Sequence, residues 1–325
     1  MLIHVFRQFV FTIIYVTAIG CVINNEKLES IFLRIYIGTT MNEYIDYPLE
    51  NASAITSQIN NNKPTVLYIH GFTENLKKTS VRTVVEAYLE RNDHNIIGLD
   101  YRDIASDNYV KVAENIPHVG DVVASTLEEM VKSGFDMEKF HIVGHSMGGQ
   151  VAGYIGRKIK YQIPRITGLD PAGPLYHLGN HSLSSSDARF VDIIHTDQGF
   201  YGVAKDTAGT VDFFPNGGSR VQPGCPRLKL PVIDDKDFCS HHRSWRFYAE
   251  SVINESAFLG VQCSTLSDFK YDKCSNNTRI VMGYATPTSA RGTVYLVTAA
   301  QSPFGLKKKG TDCSTLTFAE CIALL

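Results

Sequence analysis

A serine set between glycines is the most reactive arrangement in this sequence. Ser146 is the third residue of the run GHSMG at positions 144–148, which follows a strand-like stretch and precedes a helix-like one. In such a G-x-S-x-G turn, the serine backbone is strained and its hydroxyl is exposed at the end of a sheet. A side chain at either glycine position would collide with the neighbouring strand or helix. The pattern therefore predicts that Ser146 is a nucleophile.

An acid is needed next, because a serine hydroxyl is a weak nucleophile at neutral pH and requires a base that a carboxylate orients. For this type of turn the chain order is serine, acid, histidine. Asp170 stands in GLDPAGP, 168–174, where two prolines and two glycines restrict the loop after a predicted strand. The alternative is that Asp170 only opens a turn before Pro171. Asp192, inside a predicted strand, and Asp197, in a less rigid setting, are the competing acids.

The base must be one of the histidines that follow Asp170. These are His177, His181, His195, His241 and His242. His241 comes directly after Cys239-Ser240, so a disulfide at Cys239 would anchor it just before a helix predicted to start near His242. Spacing alone does not separate His241 from His242. A neutral imidazole with a pKa of ~6.5 is suited to accept the serine proton near neutral pH.

An oxyanion hole requires two backbone N–H donors, one after the nucleophile and one in the loop after an early strand. Met147 supplies the first. The second is expected from Phe72 in His70-Gly71-Phe72, where Gly71 allows a sharp turn. The alternative is that these three residues form an ordinary strand exit.

The elements that must position these groups alternate along the chain. Short apolar runs predict strands, and apolar residues at helical spacing predict helices, one of them beginning at Pro117 and ending before Gly134. The predicted strands are 65–70, 95–101, 140–144, 165–169 and 191–196, and the predicted helices are 76–90, 119–131 and 151–159. This alternation predicts an α/β fold, a mostly parallel sheet with helices on both faces, and a single domain over 30–304.

The composition limits the partners. With 31 Lys plus Arg against 33 Asp plus Glu, the net charge is −2, too near zero for the basic field that nucleic-acid binding needs. No nucleic-acid partner is therefore expected, and 44% hydrophobic residues are enough for a large core.

The first 21 residues are typical of a secretory signal peptide, which leaves residues 22–325 as the mature chain. Arg7 is followed by an uncharged apolar run over 9–23, and Ala18 and Gly20 fit the small-residue positions of a cleavage site. The run has 15 positions, whereas a spanning helix needs ~20, so a retained anchor is the second reading. A secretory route agrees with four N-x-S/T sequons, at Asn51, Asn180, Asn254 and Asn276.

The seven cysteines fit an oxidising compartment. If Cys21 leaves with the signal, six remain in three close pairs, and nearest-neighbour bridging predicts disulfides Cys225–Cys239, Cys263–Cys274 and Cys313–Cys321. No metal is expected, because there is no C-x-x-C pair and the two adjacent histidines lack zinc-ligand spacing to a second cluster.

The sequence as a whole resembles the animal pancreatic-lipase family, in particular its insect-type neutral lipases and phospholipases A1. The matching segments are HGF (70–72), GHSMGGQVAG (144–153), GLDPAGP (168–174), VDFFPNGGSRVQPGC (211–225), CSHHRS (239–244) and YLVTAAQSPF (295–304). The resemblance implies the α/β-hydrolase fold, Ser146 as nucleophile, Asp170 as acid, and Phe72 and Met147 as oxyanion donors. It implies His241 as base, because the family's histidine lies two positions after the cysteine that ends the lid segment, here Cys239. It also implies that neither a metal nor a cofactor takes part.

Two departures from the larger family members shape the expected specificity. Only 21 residues follow Phe304, so the C-terminal β-sandwich is expected to be absent and colipase is not expected as a partner. The lid between Cys225 and Cys239 has 13 residues, with Pro226 and Pro231, and the facing loop 198–208 is also short. A short lid and a short facing loop are similar to the phospholipase A1 members. Five apolar lid residues are expected either to touch a membrane or to pack internally: Leu228, Leu230, Val232, Ile233 and Phe238.

The resemblance thus implies a secreted serine esterase that cleaves acyl esters of glycerolipids at a membrane or lipid surface through an acyl-enzyme. Phospholipase A1 activity is favoured over triacylglycerol lipase activity. Two other readings remain at this point: a catalytically silent lipid-binding or storage protein of the same fold, and a peptidase, because a triad alone does not set the substrate.

Overall fold

The fold is taken from a computed structural model, which describes residues 25–177, 181–204, 208–227 and 236–312. Several predicted features lie outside these residues. They are the signal peptide 1–21, the sequon asparagine Asn180, the lid residues Leu228, Leu230, Val232 and Ile233, and the pair Cys313 and Cys321.

One sheet runs through the described residues. Its strands are β1 (Phe32–Tyr36), β2 (Tyr44–Pro48), β3 (Thr65–Ile69), β4 (Asn95–Asp100), β5 (Phe140–His145), β6 (Arg165–Leu169), β7 (Phe190–Ile194), β8 (Val211–Pro215), β9 (Leu259–Gln262), β10 (Arg279–Val281) and β11 (Gly292–Leu296). Their spatial order is β10-β9-β11-β8-β7-β6-β5-β3-β4-β1-β2. The seven strands from β11 to β4 are parallel, and antiparallel strands flank them at both edges. The carboxyl ends of β3, β5 and β6 therefore lie side by side.

Helices cover both faces of this sheet. They are α1 (Asn25–Glu29), α2 (Thr79–Arg91), α3 (Arg102–Ala105), α4 (Tyr109–Lys132), α5 (Met147–Lys158), α6 (Arg243–Ile253) and α7 (Leu266–Lys270), with 3-10 helices at Leu49–Gln58, Met137–Lys139 and Lys307–Thr311. In β3, Leu67 and Ile69 join the core under α4 and α5, whereas Val66 and Tyr68 join the core under α2 and α6. Because both faces are buried, the central strands are mostly apolar. The expected α/β fold is confirmed.

Helix α4 corrects the predicted start at Pro117. It begins at Tyr109 and contains Pro117. The side chain of Asn108 caps its first turn by accepting a hydrogen bond from the Val110 N–H (3.0 Å). Buried side chains before and after the proline, such as Val112 and Val119, continue the apolar face across it. Packing of that face outweighs the hydrogen bond that the proline removes.

Helix α5 also starts earlier than the predicted 151–159. It begins at Met147. The next two residues are glycines, which are poor helix formers and so hide the helix start in the sequence. The structure places glycines there because the helix packs closely against the sheet at these positions. The edge strands β1, β2, β9 and β10 and the central strands β8 and β11 were not predicted. Each contains a charged residue, a glycine or a proline, such as Arg34 in β1, Asp46 in β2 and Pro215 in β8, which obscures the apolar pattern.

Two of the three predicted disulfides lie in the described residues, and both are formed: Cys225–Cys239 and Cys263–Cys274. Across the ranges that the structure describes, no helix combines the length and the apolar character needed to cross a bilayer.

Candidate active site

The turn at Ser146 has the geometry that its glycines predict. It joins β5 to α5, and Ser146 adopts φ 53° and ψ −120°, in a region that costs strain for a residue with a side chain. A Cβ on Gly144 would lie 2.3 Å from the carbonyl oxygen of Gly148, and one on Gly148 would lie 2.2 Å from that of Ile69. Both positions therefore admit only glycine without movement of the backbone.

Asp170 lies beside this turn, at the end of the neighbouring strand. The Ser146 N–H donates to the carbonyl of Leu169 (3.0 Å), and the carboxylate of Asp170 is fully buried. Its Oδ1 accepts hydrogen bonds from the N–H groups of Thr196 (2.9 Å) and Asp197 (3.1 Å). Its Oδ2 lies 2.6 Å from Nδ1 of His241. The carboxylate is thus held by the backbone on one side and faces the imidazole on the other.

The competing acids are occupied elsewhere. Asp192 forms a two-point ion pair with Arg165 (2.8 and 2.9 Å) and accepts from the Thr167 hydroxyl. Asp197 pairs with Arg220, at 2.6 and 2.5 Å. Burial and the nearby charge of Asp170 raise the pKa of Asp197 to about 7, against the effect of Arg220.

His241 is held by its backbone as well as by Asp170. Its carbonyl accepts from the Ser244 hydroxyl (2.8 Å), and the Cys225–Cys239 disulfide fixes the chain two residues before it. Since a carboxylate only accepts hydrogen bonds, Nδ1 of His241 carries the proton and Nε2 presents a lone pair. Burial lowers the pKa of His241, although the hydrogen bond and charge of Asp170 oppose this effect.

The adjacent His242 has a different environment. Its ring packs against Phe238, with the centroids 5.7 Å apart, and lies at the same centroid distance from Trp245. Burial, with the charges of His145 and His241, lowers the pKa of His242 to about 3. The structure thus distinguishes the two histidines, which their spacing in the sequence could not do: His241 contacts Asp170, whereas His242 is a packing residue.

The other histidines after Asp170 do not contact it. Nδ1 of His177 accepts from the Ala204 N–H (3.2 Å), His181 is exposed, and His195 lies 2.8 Å from Asp212.

The two proposed oxyanion donors belong to two segments that approach each other at Ser146. Met147 is the first residue of α5. The loop that carries Phe72 passes close by, because a Cβ on Gly71 would lie 3.1 Å from the Cβ of Ser146. The Phe72 ring packs edge-on against Tyr109, with centroids 5.1 Å apart.

Sequence reasoning missed two charged residues near the site. Glu74 follows the Phe72 loop and accepts three hydrogen bonds around it. Arg220 joins Asp197 to Asp237 (3.1 Å to Asp237) and lies over the ring of Phe200 (3.8 Å). Neither has a spacing signal, since their partners are backbone groups or side chains that no sequence motif links to them. Among residues 25–312, outside the gaps already given, no three His, Cys, Asp or Glu side chains form a group that could hold a metal ion.

The sheet order, the strained turn at Ser146 and the buried Asp170–His241 contact define an α/β hydrolase. The family model described as "Lipase" matches residues 20–304, and the chain therefore belongs to the lipase family. The resemblance to the animal pancreatic lipases is confirmed at the level of the family.

Three curated relatives give the measure of similarity. The pancreatic triacylglycerol lipase of Equus caballus is 34% identical over 271 residues, covering 77% of this chain and 58% of the relative. The Homo sapiens enzyme of the same name is 32% identical over 260 residues, covering 74% and 55%. Pancreatic lipase-related protein 2 of Homo sapiens is 34% identical over 231 residues, covering 65% and 49%. The chain thus spans less than two thirds of the length of these relatives.

Proposed function

We propose that this chain hydrolyses acyl esters of glycerolipids through an acyl-enzyme on Ser146. The observation that carries the proposal is the buried 2.6 Å contact between Asp170 and His241, beside the strained turn that presents Ser146. Family membership supports the class of substrate.

The proposed reaction uses only groups of this chain and water. Nε2 of His241 accepts the hydroxyl proton as Oγ of Ser146 attacks the ester carbonyl carbon. The N–H groups of Phe72 and Met147 stabilise the resulting oxyanion. The His241 imidazolium then protonates the leaving alcohol, and the acyl-enzyme forms. A water molecule, activated by His241, attacks that acyl group, and Ser146 regains its proton as the fatty acid leaves.

Asp170 has a defined role in this scheme. By accepting the hydrogen bond from Nδ1, it holds His241 in the tautomer whose Nε2 can accept a proton, and its charge stabilises the imidazolium that follows. The two backbone N–H donors to Oδ1 fix the orientation of the carboxylate.

For specificity, we propose phospholipase A1 activity, the release of the sn-1 acyl chain from a phospholipid. The support is the short lid, which has only 13 residues between Cys225 and Cys239. So short a segment can cover little of the site, and this leaves room for a phospholipid headgroup. The second candidate is triacylglycerol lipase activity, which the names of the relatives from Equus caballus and Homo sapiens favour. The close Asp170–His241 contact argues against a catalytically silent protein.

We also propose that residues 22–325 form a single secreted lipase domain with a tail over 305–325, acting at a membrane or lipid surface without colipase. The two formed disulfides support an oxidising compartment. Three of the four sequon asparagines, Asn51, Asn254 and Asn276, are exposed and so accessible to glycosylation.

Expression of the full sequence in a secretory host, with mass analysis of the medium, should give a glycosylated chain that begins near residue 22. Retention of residues 1–21 would contradict the signal-peptide assignment.

Positional product analysis tests the function. Wild type and Ser146→Ala are given phosphatidylcholine with different acyl chains at the two glycerol positions and, separately, triolein. The proposal expects release of the sn-1 chain by wild type alone. Preference for triolein would move the assignment to triacylglycerol lipase, and no hydrolysis of either by intact protein would favour a lipid-binding role.

A further inference from the structure

A largely buried carboxylate lies behind the loop that carries Phe72. The side chain of Glu74 is 14% exposed. Its Oε2 accepts a hydrogen bond from the N–H of Gly71 (2.7 Å) and lies 3.3 Å from Nδ1 of His145, while its Oε1 accepts from the Ser80 hydroxyl (2.5 Å). None of these contacts belongs to the triad of Ser146, Asp170 and His241.

The first contact closes the turn that presents Phe72. The N–H of Glu74 donates to the carbonyl of Gly71 (3.3 Å), and the Glu74 carboxylate accepts from the N–H of Gly71. Between them, Thr73 has a positive φ of 59°, which is unfavourable for a β-branched residue. This pair of reciprocal hydrogen bonds thus holds a turn that its own backbone preference would not select.

The second contact reaches the turn that presents Ser146. His145 is the residue before the nucleophile, its ring is buried, and its Nδ1–H points to Oε2 of Glu74 because a carboxylate can only accept. The third contact fixes the carboxylate to the first turn of α2 through Ser80. Glu74 is therefore a bridge between two segments that meet at Ser146.

The meeting point is tightly packed. A Cβ on Gly71 would lie 3.1 Å from Oε2 of Glu74, 3.1 Å from the Cβ of Ser146 and 3.2 Å from Nδ1 of His145. A small displacement of the Phe72 loop, which includes Gly71, therefore directly changes the distance from that loop to Ser146. Although burial favours the neutral acid, hydrogen bonds from His145, Ser80 and Gly71 hold the pKa of Glu74 below its usual range, so an acceptor is present at neutral pH.

We propose that Glu74 is a positioning residue of the oxyanion hole, which sets the distance between the Phe72 loop and the Ser146 turn by accepting from Gly71 and His145 at once. This inference rests on the proposed esterase function. It assigns no contact with substrate to Glu74; the residue acts through the N–H groups of Phe72 and Met147.

Hydrogen-bond acceptance, rather than charge, is what the proposal requires, and two substitutions separate them. In Glu74→Gln, the amide oxygen can accept from Gly71 and His145 while the NH₂ group donates to Ser80. Glu74→Met keeps a similar shape without an acceptor. Glu250→Met is the matched control, because Glu250 also accepts from two loop N–H groups, those of Phe304 and Gly305 (both 2.7 Å), on the far half of α6.

The experiment measures kcat and KM on a soluble nitrophenyl ester, with hydrogen exchange over residues 70–76. Loss of one oxyanion donor costs about 10²–10³-fold in kcat, so its displacement in Glu74→Met should cost about 10–100-fold with KM within about threefold of wild type. Glu74→Gln should restore kcat to within about threefold. Exchange over 70–76 should be faster in Glu74→Met and unchanged in Glu250→Met.

Unchanged kcat in Glu74→Met, or an equal loss in Glu74→Gln, would overturn the proposal. If Glu74→Met does not fold, Glu74→Asp replaces it, because the shortened side chain keeps its charge but cannot reach both donors, and the same loss of kcat is expected. If wild type releases no nitrophenol, the proposed function fails, and exchange over 70–76 still decides whether Glu74 holds the loop.

Discussion

At the scale of single residues, one contact distinguishes two adjacent imidazoles. His241 faces Asp170, whereas His242 packs between Phe238 and Trp245. His241→Ala should therefore lower kcat by roughly 10⁴-fold or more, and His242→Ala should keep it within about tenfold. The two variants, measured with the same soluble ester, serve as controls for each other. An equal loss in both would show that packing of the pair, and not a base at His241, supports activity.

The environment of His241 also predicts the pH dependence. Burial lowers its pKa from the usual value near 6.5, and the base must be neutral to accept the serine proton. A lowered pKa keeps the neutral form at lower pH, so the acid limb of kcat/KM on an uncharged ester should have its midpoint below ~6.5. A midpoint above that value would mean that the charge of Asp170 outweighs burial.

The sequence was most informative for residues with a motif and least informative for those without one. Ser146, Asp170 and His241 follow from the glycine pattern, the chain order and the family resemblance, and the structure brings Asp170 and His241 into contact. Glu74 and Arg220 could not be predicted, because their partners are backbone groups or side chains that no sequence motif links to them. Only the folded chain brings such groups together.

At the scale of elements, the packing of α5 against β3 is the most sensitive contact near the site. A Cβ on Gly148 would lie 2.2 Å from the carbonyl oxygen of Ile69, whereas one on Gly149 would come no closer than 3.2 Å, to the Pro171 side chain. Gly148→Ala should destabilise the fold by about 1–3 kcal/mol and lower kcat, because the start of α5 must shift away from β3.

Gly149→Ala is the neighbouring control for this prediction. Thermal unfolding and kcat of the two variants give the comparison, with the smaller change expected for Gly149→Ala. Equal effects would mean that loss of a glycine in the helix, and not its approach to Ile69, matters.

Element prediction succeeded for several mostly apolar strands and failed where packing overrode local preference. Strands β3, β4 and β7 are buried at every residue and mostly apolar, since both faces of these strands are covered. Pro117 was read as a helix start, but the apolar face of α4 extends to both sides of it. The local sequence shows that Pro117 removes a helical hydrogen bond, but only the folded structure shows the packing that offsets this loss.

At the scale of the whole molecule, the two described disulfides differ in their distance from the site. Cys225–Cys239 ends two residues before His241, whereas Cys263–Cys274 follows β9, which β11, β8 and β7 separate from β6 in the sheet. Their loops are of similar length, so replacing either pair by alanine should cost about 3 kcal/mol in the free energy of unfolding. Only the Cys225/Cys239 double variant should also lose kcat. Denaturant unfolding and ester kinetics of both would measure this, and an equal loss of kcat would contradict it.

The alternation of strands and helices predicts the parallel centre of the sheet, but it does not give the order of the strands. Among the described residues, β11 is the last strand in the sequence, yet it lies between β9 and β8. The N-terminal pair β1 and β2 closes the opposite edge. These placements depend on pairing between strands that are far apart in the sequence, which the alternation of strands and helices does not specify.

The most direct test of the account is to trap the acyl group. Wild type is mixed with excess nitrophenyl butyrate, quenched in acid within the first turnover, and analysed by peptide mass spectrometry. The account predicts a burst of one nitrophenol per chain and a butyryl group on the peptide that contains Ser146, both absent in Ser146→Ala. A butyryl group on another residue, or undiminished hydrolysis by Ser146→Ala, would contradict it.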